Sequence, residues 1–214
     1  VSGRDNVCVL VGSKSGEAEI DSAVVNGNLS GVNNVGGLVG HQLNGTVNGS
    51  GAGVSVEGST RVGGLVGDQN SIINASNATG HVNGTDWVGG LVGEQNDGVI
   101  SSSYATGTVN GTDNVGGLIG TQNGEVNSSN ASGRVVGTDR VGGLAGTNFG
   151  SVSESNATGH VNGTDWVGGL VGEQEAVITS SYASGNVNGT SSVGGLAGTT
   201  SDTVSSSYAT GNVN

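Results

Sequence analysis

The sequence predicts an all-β protein, a right-handed parallel β-solenoid (β-helix) of about eight coils with roughly 26 residues each. First, the segment VGGLVG at 35–40 returns, exactly or nearly, with starts at 62, 88, 115, 141, 167 and 193. Second, the apolar segments are only four to six residues long, rich in β-branched residues, and bounded by Gly and Asn. Third, the 214 residues include 45 glycines and no proline, a composition that suits ladder-paired strands joined by tight corners.

Alignment of the repeats on one another gives columns of like residues, which stacked coils would place about 4.8 Å apart. We expect the apolar columns to fill a narrow interior. The clearest is the leucine column, formed by Leu38, Leu65, Leu91, Leu118, Leu144, Leu170 and Leu196. Val35 and Leu38 lie three residues apart, so both face inward only if the chain bends or bulges at Gly36-Gly37. The rival folds are a run of antiparallel hairpins and a propeller, and the repeat length argues against the propeller, because its blades need about 40 residues.

The domain prediction is one array over residues 1–214. Residues 1–34 form a divergent first coil, in which VCVLVG at 7–12 replaces the Gly-Gly pair by Cys8-Val9. Residues 35–214 form the regular repeats. Because the chain begins at Val1 without methionine, we expect it to be processed or excised from something longer.

The recurring Gly-Leu-x-Gly core, first seen at 37–40, resembles the GLUG repeat, and the resemblance covers roughly residues 31–214. It implies a β-solenoid and a place among secreted or surface-attached microbial proteins, including adhesin-like ones. The resemblance supplies no catalytic residues.

The charge balance limits the classes of partner. A net charge of −12 with only five cations argues against nucleic acid and against an anionic membrane surface, since both require a basic face. No stretch is long enough to span a membrane, and Cys8 has no partner for an internal disulfide. The acids are scattered and no nucleophile motif is visible, so we expect no enzyme activity and no cofactor.

One acidic column is a candidate Ca²⁺ site, formed by Asp86, Asp113, Asp139 and Asp165. The alternative is that each aspartate closes its own Asn-Gly-Thr-Asp turn by accepting backbone hydrogen bonds. An amide column two residues after each VGGLVG predicts side chains that hydrogen-bond to one another along a ladder. Its members are Gln42, Gln69, Gln95, Gln122, Asn148 and Gln174.

Residues 77–95 and 156–174 are identical and contain Trp87 and Trp166. These tryptophans could stack on sugar rings, or they could be solvent-facing side chains copied by an internal duplication. Asn and Arg occupy the same place in other repeats, which favours a solvent-facing position.

Twelve Asn-x-Ser/Thr sequons are candidate glycosylation sites, unless they arise from the Asn-rich and Ser-rich composition alone. Three of them share a column with Tyr104, Tyr182 and Tyr208, and we expect that column to face outward. The sequon residues are Asn28, Asn44, Asn48, Asn74, Asn77, Asn83, Asn110, Asn127, Asn130, Asn156, Asn162 and Asn188.

The chain ends at Val213-Asn214 and starts with Val1-Ser2-Gly3, so its two ends read as complementary parts of one repeat. Such ends suggest either head-to-tail assembly by β-strand addition or a segment cut from a longer array. The favoured function is therefore a structural subunit of an extracellular fibre or surface appendage that polymerises with itself. The alternative is a carbohydrate-binding or adhesin module of a larger surface protein, with glycans or other cell-surface proteins as partners.

Overall fold

A computed structural model describes residues 1–214 and confirms the all-β solenoid. The chain winds through eight coils, and equivalent strands of successive coils pair in parallel to form four sheets that run the length of the molecule. In the order in which each coil visits them, we call these sheets 1 to 4. Coil 1 covers residues 5–30, and coil 8 covers residues 191–214.

Sheets 1 and 2 flank the VGGLVG bend and contain eight strands each. The strands of sheet 1 are Asp5–Val7, Asn33–Gly36, Thr60–Gly63, Asp86–Gly89, Asp113–Gly116, Asp139–Gly142, Asp165–Gly168 and Ser191–Gly194. The strands of sheet 2 are Val11–Lys14, Val39–Gln42, Val66–Gln69, Val92–Gln95, Ile119–Gln122, Ala145–Asn148, Val171–Gln174 and Ala197–Thr200.

Sheet 3 is narrow and sheet 4 is broad. The strands of sheet 3 are Glu19–Asp21, Thr46–Asn48, Ile72–Asn74, Val99–Ser101, Glu125–Asn127, Ser151–Ser153, Ile178–Thr179 and Val204–Ser205. Sheet 4 has two long strands in the first two coils and pairs of two-residue strands after them. Its strands are Val24–Ser30, Gly51–Glu57, Asn77–Ala78, Val82–Asn83, Tyr104–Ala105, Val109–Asn110, Asn130–Ala131, Val135–Val136, Asn156–Ala157, Val161–Asn162, Tyr182–Ala183, Val187–Asn188 and Tyr208–Ala209.

The pairing register confirms the predicted columns. The backbone N–H of Leu91 donates to the carbonyl of Leu118 at 2.8 Å, so equivalent leucines lie one coil apart. Forty buried hydrophobic residues form one continuous core, almost all of them Val, Leu, Ile and Ala from these columns. Burial of a β-branched or leucine side chain contributes about 1.5–3 kcal/mol, so the interior is stabilised by many small equal contributions.

The bend between sheets 1 and 2 explains how Val35 and Leu38 are both fully buried. In coil 2, the strand of sheet 1 ends at Gly36, the chain turns at residues 37–38, and the strand of sheet 2 begins at Val39. The predicted bend is confirmed. A Cβ on Gly36 would overlap the carbonyl oxygen of Val39, so the two strands approach so closely that only glycine fits.

The first coil departs from this geometry, as its sequence does. The bend at Cys8–Leu10 leaves Leu10 52% exposed, whereas the equivalent Leu38 is fully buried. Cys8 is a free, partly buried thiol, and burial raises its pKa.

The first and last residues of the described chain occupy equivalent places in the repeat. Ser2 pairs in parallel with Ser30, so Val1 lies next to Leu29. Val213 pairs with Val187, which belongs to the same column as Leu29. Val1 and Val213 therefore occupy equivalent positions in one column of sheet 4.

Candidate functional site: the outer groove and the end coils

The residue before each buried valine of the VGGLVG segment has a left-handed backbone. Trp87 has φ of 53° and Trp166 has φ of 50°. All members of this column lie in the same conformation, which turns the side chain into an outer groove between sheets 1 and 2. They are Asn6, Asn34, Arg61, Trp87, Asn114, Arg140, Trp166 and Ser192.

The facing wall of the groove is the sheet 2 column that precedes the amide column. Its members are Ser13, His41, Asp68, Glu94, Thr121, Thr147, Glu173 and Thr199. Contacts cross the groove to the next coil. The Arg61 Nε donates to Glu94, and the Arg140 Nε lies 3.2 Å from Glu173 Oε2.

The groove brings charged groups together at coils 2 to 4. Asp68 Oδ2 lies 3.6 Å from His41 Nε2 and 3.9 Å from Arg61 Nε, while its Oδ1 accepts a 2.8 Å hydrogen bond from Asn96 Nδ2. Burial raises the pKa of Asp68, and the nearby charge of Glu94 raises it further, while His41, Arg61 and Asn96 lower it. Sequence reasoning missed this cluster. The equal 33-residue offset of Arg61 to Glu94 and of Arg140 to Glu173 could have revealed it.

The two tryptophans lie in this groove, each next to the arginine of the preceding coil. The Arg61 Cζ is 4.9 Å from the Trp87 ring centroid, and the Arg140 Cζ is 5.1 Å from that of Trp166. These are cation–π contacts. One face of each indole is therefore covered by a guanidinium group, and that face is closed to a sugar ring.

The aspartate column of the Ca²⁺ hypothesis runs along sheet 1, where Asp86, Asp113, Asp139 and Asp165 are successive partners. Arg140 lies among them: its Nη1 donates to Asp113 Oδ1 at 2.6 Å, and its Nη2 is 3.4 Å from Asp139 Oδ2. The Arg140 guanidinium group therefore offsets the repulsion between these stacked carboxylates, which is the role that the hypothesis gave to Ca²⁺. The structure contains no group of three or more His, Cys, Asp or Glu side chains arranged to hold a metal ion.

The amide column is fully buried except for slight exposure of Gln174, but it forms no amide-to-amide ladder, so that prediction is wrong. Each glutamine instead donates from Nε2 to backbone carbonyls of its own turn, as Gln95 does to Gly98 at 3.1 Å. The Oε1 atoms of all five glutamines are buried without a hydrogen-bond partner. Each Nε2 group donates to the backbone because the chain turns two to three residues after the glutamine, which brings a carbonyl within reach.

A buried serine ladder links the coils, and sequence reasoning did not predict it. Each serine Oγ accepts a hydrogen bond from the backbone N–H of the equivalent residue one coil earlier, as Ser129 Oγ does from Ser103 N at 3.2 Å. Each Oγ also donates to the carbonyl two residues before it. The signal was available, because serine fills this column from coil 2 to coil 8: Ser50, Ser76, Ser103, Ser129, Ser155, Ser181 and Ser207.

The sequons fall into structurally different columns. In some, the side-chain nitrogen that would carry a glycan already donates along a ladder: Asn74 Nδ2 to Asn48 Oδ1 at 3.0 Å, and Asn110 Nδ2 to Asn83 Oδ1 at 2.8 Å. Asn188 donates likewise to Asn162, and Asn48 to Asp21. Modification there would remove a ladder hydrogen bond.

A second sequon column lies on the outer face of sheet 4, where Asn77, Asn130 and Asn156 donate no side-chain hydrogen bond. It contains Tyr104 and Tyr208, which are 42% and 57% exposed, and therefore faces outward as expected. Tyr182 and Tyr208 stack with ring centroids 5.3 Å apart.

The end coils expose what every internal coil buries. Val213 is 46% exposed, whereas Val187 one coil earlier is fully buried. Val204 is 38% exposed, whereas Ile178 in the same column is fully buried. The strands of coils 1 and 8 in sheets 1 to 3 pair on one side only. None of the elements is a helix of the length and apolarity that a membrane crossing requires.

Comparison with known families gives two matches to one family model, described as the GLUG motif, at residues 88–110 and 167–188. Searches of curated proteins and of solved structures gave no match. Both family matches begin at the first valine of a VGGLVG segment, and the same columns continue through the other regular coils. The chain therefore contains two segments that match the GLUG motif, and both lie within a β-solenoid.

Proposed function

We propose that the protein is a structural subunit of an extracellular fibre or surface appendage, in which copies join head to tail through their end coils. A GLUG β-solenoid fits a surface or extracellular repeat protein. The finer assignment rests on the end coils, whose unpaired backbone groups and exposed columns are complementary to those of another coil.

The observation that carries the proposal is repetition. The upper edge of one coil pairs with the lower edge of the next seven times within the chain, in the same register in each sheet. The free edges of coils 8 and 1 present these same two kinds of surface. A coil from a second copy would therefore pair with these edges through the same kind of contacts that join the coils within the chain.

The proposed activity is mechanical and requires neither catalysis nor a cofactor. The fully buried columns and the serine ladder hold successive coils together along the axis. The acidic surface keeps the sides of the solenoid soluble and so favours contact through its ends. A subunit of eight coils would add about 38 Å of length at about 4.8 Å per coil.

Negative-stain microscopy and sedimentation of residues 1–214 over a concentration series test the proposal. We expect unbranched filaments whose length grows with concentration, with and without EDTA. The proposal fails if residues 1–214 remain monomeric at every concentration. A monomer that binds a glycan array, with binding lost in Trp87→Ala and Trp166→Ala, would support the carbohydrate-binding alternative instead.

A further inference from the structure

The outer face of sheet 4 in coils 3 to 7 forms a continuous wall in the middle of the array. Outward and inward residues alternate across it: in coil 5, Ala131, Gly133 and Val135 are buried, whereas Ser132 and Arg134 between them are exposed. The same alternation in each coil gives four outward columns. We call this surface the sheet 4 wall, and it comprises residues 77–83, 104–110, 130–136, 156–162 and 182–188.

The sheet 4 wall carries no acidic residue, although the chain has 17 of them. The acidic residues of coils 3 to 7 all lie on the other three sheets or at corners, and the nearest in sequence is Glu154, two residues before the wall in coil 6. Arg134 is the one Lys or Arg on the wall. Sheet 1, in contrast, stacks four aspartates, and two copies that met there would oppose like charges. The wall is therefore the side through which two copies can approach with least repulsion.

The polar groups of the wall are mostly ones that both donate and accept hydrogen bonds, because Asn, Ser and Thr fill most outward positions. Three of them, Asn77, Asn130 and Asn156, donate no side-chain hydrogen bond within the chain. Tyr104 adds an aromatic side chain that is 42% exposed, and tyrosine is enriched in protein interfaces. Such a surface is complementary to a second copy of itself, whereas a strongly charged partner would require the opposite charge.

Hydrogen bonds between neighbouring coils fix side chains of the wall in place. His81 Nδ1 accepts a 3.2 Å hydrogen bond from the backbone N–H of Thr108, and His160 Nδ1 accepts a 3.0 Å hydrogen bond from that of Asn186. Side chains that are already ordered lose less conformational entropy when a partner binds. The wall is therefore prepared for contact without rearrangement.

The size of the wall suits a weak interface. Seven residues at about 3.3 Å and five coils at about 4.8 Å give a surface of about 23 by 24 Å. Two such walls in contact would bury about 1,100 Å² in total, which is the size of a weak or transient protein interface.

We infer that the sheet 4 wall binds the sheet 4 wall of a second copy, so that two solenoids lie side by side. This contact goes beyond the proposed end-to-end joining and uses none of the same residues, since it lies in coils 3 to 7. In a fibre it would hold subunits of neighbouring strands together laterally.

Small-angle X-ray scattering of residues 1–214 over a concentration series tests the inference. Side-by-side pairing enlarges the cross-section of the particle, whereas end-to-end joining lengthens it at constant cross-section. Thr106→Asp with Thr158→Asp places two carboxylates at exposed positions of the wall, where pairing would oppose them to those of the partner. We expect the midpoint concentration of side-by-side pairing to rise about tenfold or more.

The matched control is Thr112→Asp with Thr164→Asp, which adds the same charge at exposed positions on the corner between sheets 4 and 1. We expect the control to pair within about twofold of the parent chain, because these carboxylates do not face the partner. The melting temperature checks that both variants are folded. Equal weakening by the two variants would overturn the inference, since net charge alone would then account for it.

A single cysteine tests the contact independently, in a Cys8→Ser background. Ser132 is exposed in the middle of the wall, and facing sheets pack about 10 Å apart, so a bismaleimide linker of about that length should join two Ser132→Cys chains. The control is Thr138→Cys, which is exposed at the corner, and we expect it to give no covalent dimer. Equal cross-linking of the two variants, or none in Ser132→Cys, would overturn the contact.

The outcomes separate this inference from the proposed fibre. Filaments whose cross-section stays that of one solenoid would overturn the lateral contact and leave the fibre function standing. Side-by-side pairs that never lengthen would support the contact and overturn the head-to-tail function. A chain that stays single and binds a glycan array, with binding lost in the wall variant and kept in its control, would overturn self-binding and assign the wall to a glycan.

Discussion

Left-handed backbone conformations recur at two places in every regular coil, and most are held by residues other than glycine. The first is the groove column that contains both tryptophans, and the second contains Ala75, Ser102, Ser128 and Gly49. An L-residue in this region costs roughly 1–2 kcal/mol relative to its preferred conformations. The register of the surrounding ladders imposes this conformation, because each such residue is flanked by a paired strand.

Ala75 is the position where this strain is easiest to remove. Its φ is 47° and its side chain is exposed, and Gly49 holds the same place one coil earlier. We expect Ala75→Gly to raise the free energy of unfolding by about 0.5–1 kcal/mol, as measured by denaturant titration. The control is Ala78→Gly, which lies in the buried alanine column and should lower it. A destabilised Ala75→Gly chain would contradict the strain argument.

Asp68 is expected to make the stability of the chain depend on pH. Asn34 and Asp68 hold the places that Asn114 and Thr147 hold three coils later, where Thr147 Oγ1 donates to Asn114 Oδ1 at 2.5 Å. Asn34 Oδ1 is buried and has no donor. A protonated Asp68 carboxyl could supply the hydrogen bond that the threonine hydroxyl supplies at the later site.

The direction of the pKa shift of Asp68 determines whether the stability of the chain rises or falls with pH. Burial raises the pKa of Asp68 in the folded chain, so the folded state binds this proton more tightly than the unfolded state. The contribution of Asp68 to stability is therefore greatest at acidic pH and is lost as pH rises through the raised pKa. We expect Asp68→Thr to raise the melting temperature at neutral pH and to flatten its pH dependence.

Thr147→Asp is the matched control, because it should introduce the same dependence at coil 6. Melting temperatures in a series of buffers from neutral to mildly acidic measure both effects. Equal pH dependence in the parent chain and in Asp68→Thr would show that other carboxyl groups dominate, and would contradict this account of Asp68.

At the scale of the sheets, the ladders of polar side chains fix the coils to one another. The buried serine ladder matters most, since it provides an acceptor for buried backbone N–H groups at the corner between sheets 3 and 4. The outer Asn ladders are more exposed, and water can replace their hydrogen bonds. Loss of a buried acceptor therefore costs more than loss of an exposed one.

Ser129→Ala tests the buried ladder. The change leaves the buried Ser103 N–H without its acceptor and should lower the free energy of unfolding by about 1–3 kcal/mol. Ser132→Ala, at an exposed position between two strands of sheet 4, should change it by less than about 0.5 kcal/mol. Denaturant titration of both variants measures the difference. Equal changes in the free energy of unfolding for the two variants would show that the ladder hydrogen bond does not stabilise the chain.

Sequence reasoning correctly predicted which apolar residues stack in columns, but it did not predict which partners the polar side chains bind. The leucine and valine columns, and the bend at Gly36-Gly37, follow from repetition and from the reach of the chain. The contact of Arg61 with Glu94 joins different columns of successive coils, so no single column reveals it. The predicted amide ladder failed because alignment places Gln95 above Gln69 without showing that a carbonyl of its own turn lies closer.

At the scale of the whole molecule, stability should vary along the axis. The strands of each coil pair only with those of the neighbouring coils, so an internal coil has two paired interfaces and an end coil has one. The two ends differ, because residues 1–3 add a rung beneath coil 1 whereas nothing lies above coil 8. Burial reflects this asymmetry: Val7 of coil 1 is 6% exposed, whereas Val193 in the same column of coil 8 lies at the margin of the core.

Hydrogen exchange read by mass spectrometry should therefore show a gradient along the monomer. We expect peptides of coil 8 to exchange first, those of coil 1 next, and those of coils 4 and 5 last, because opening of the array proceeds from its ends. In filaments, both end coils should gain protection while the central coils stay unchanged, since new ladders form only at the ends. Uniform exchange along the monomer would indicate a single cooperative unit and would contradict the nearest-neighbour account of its stability.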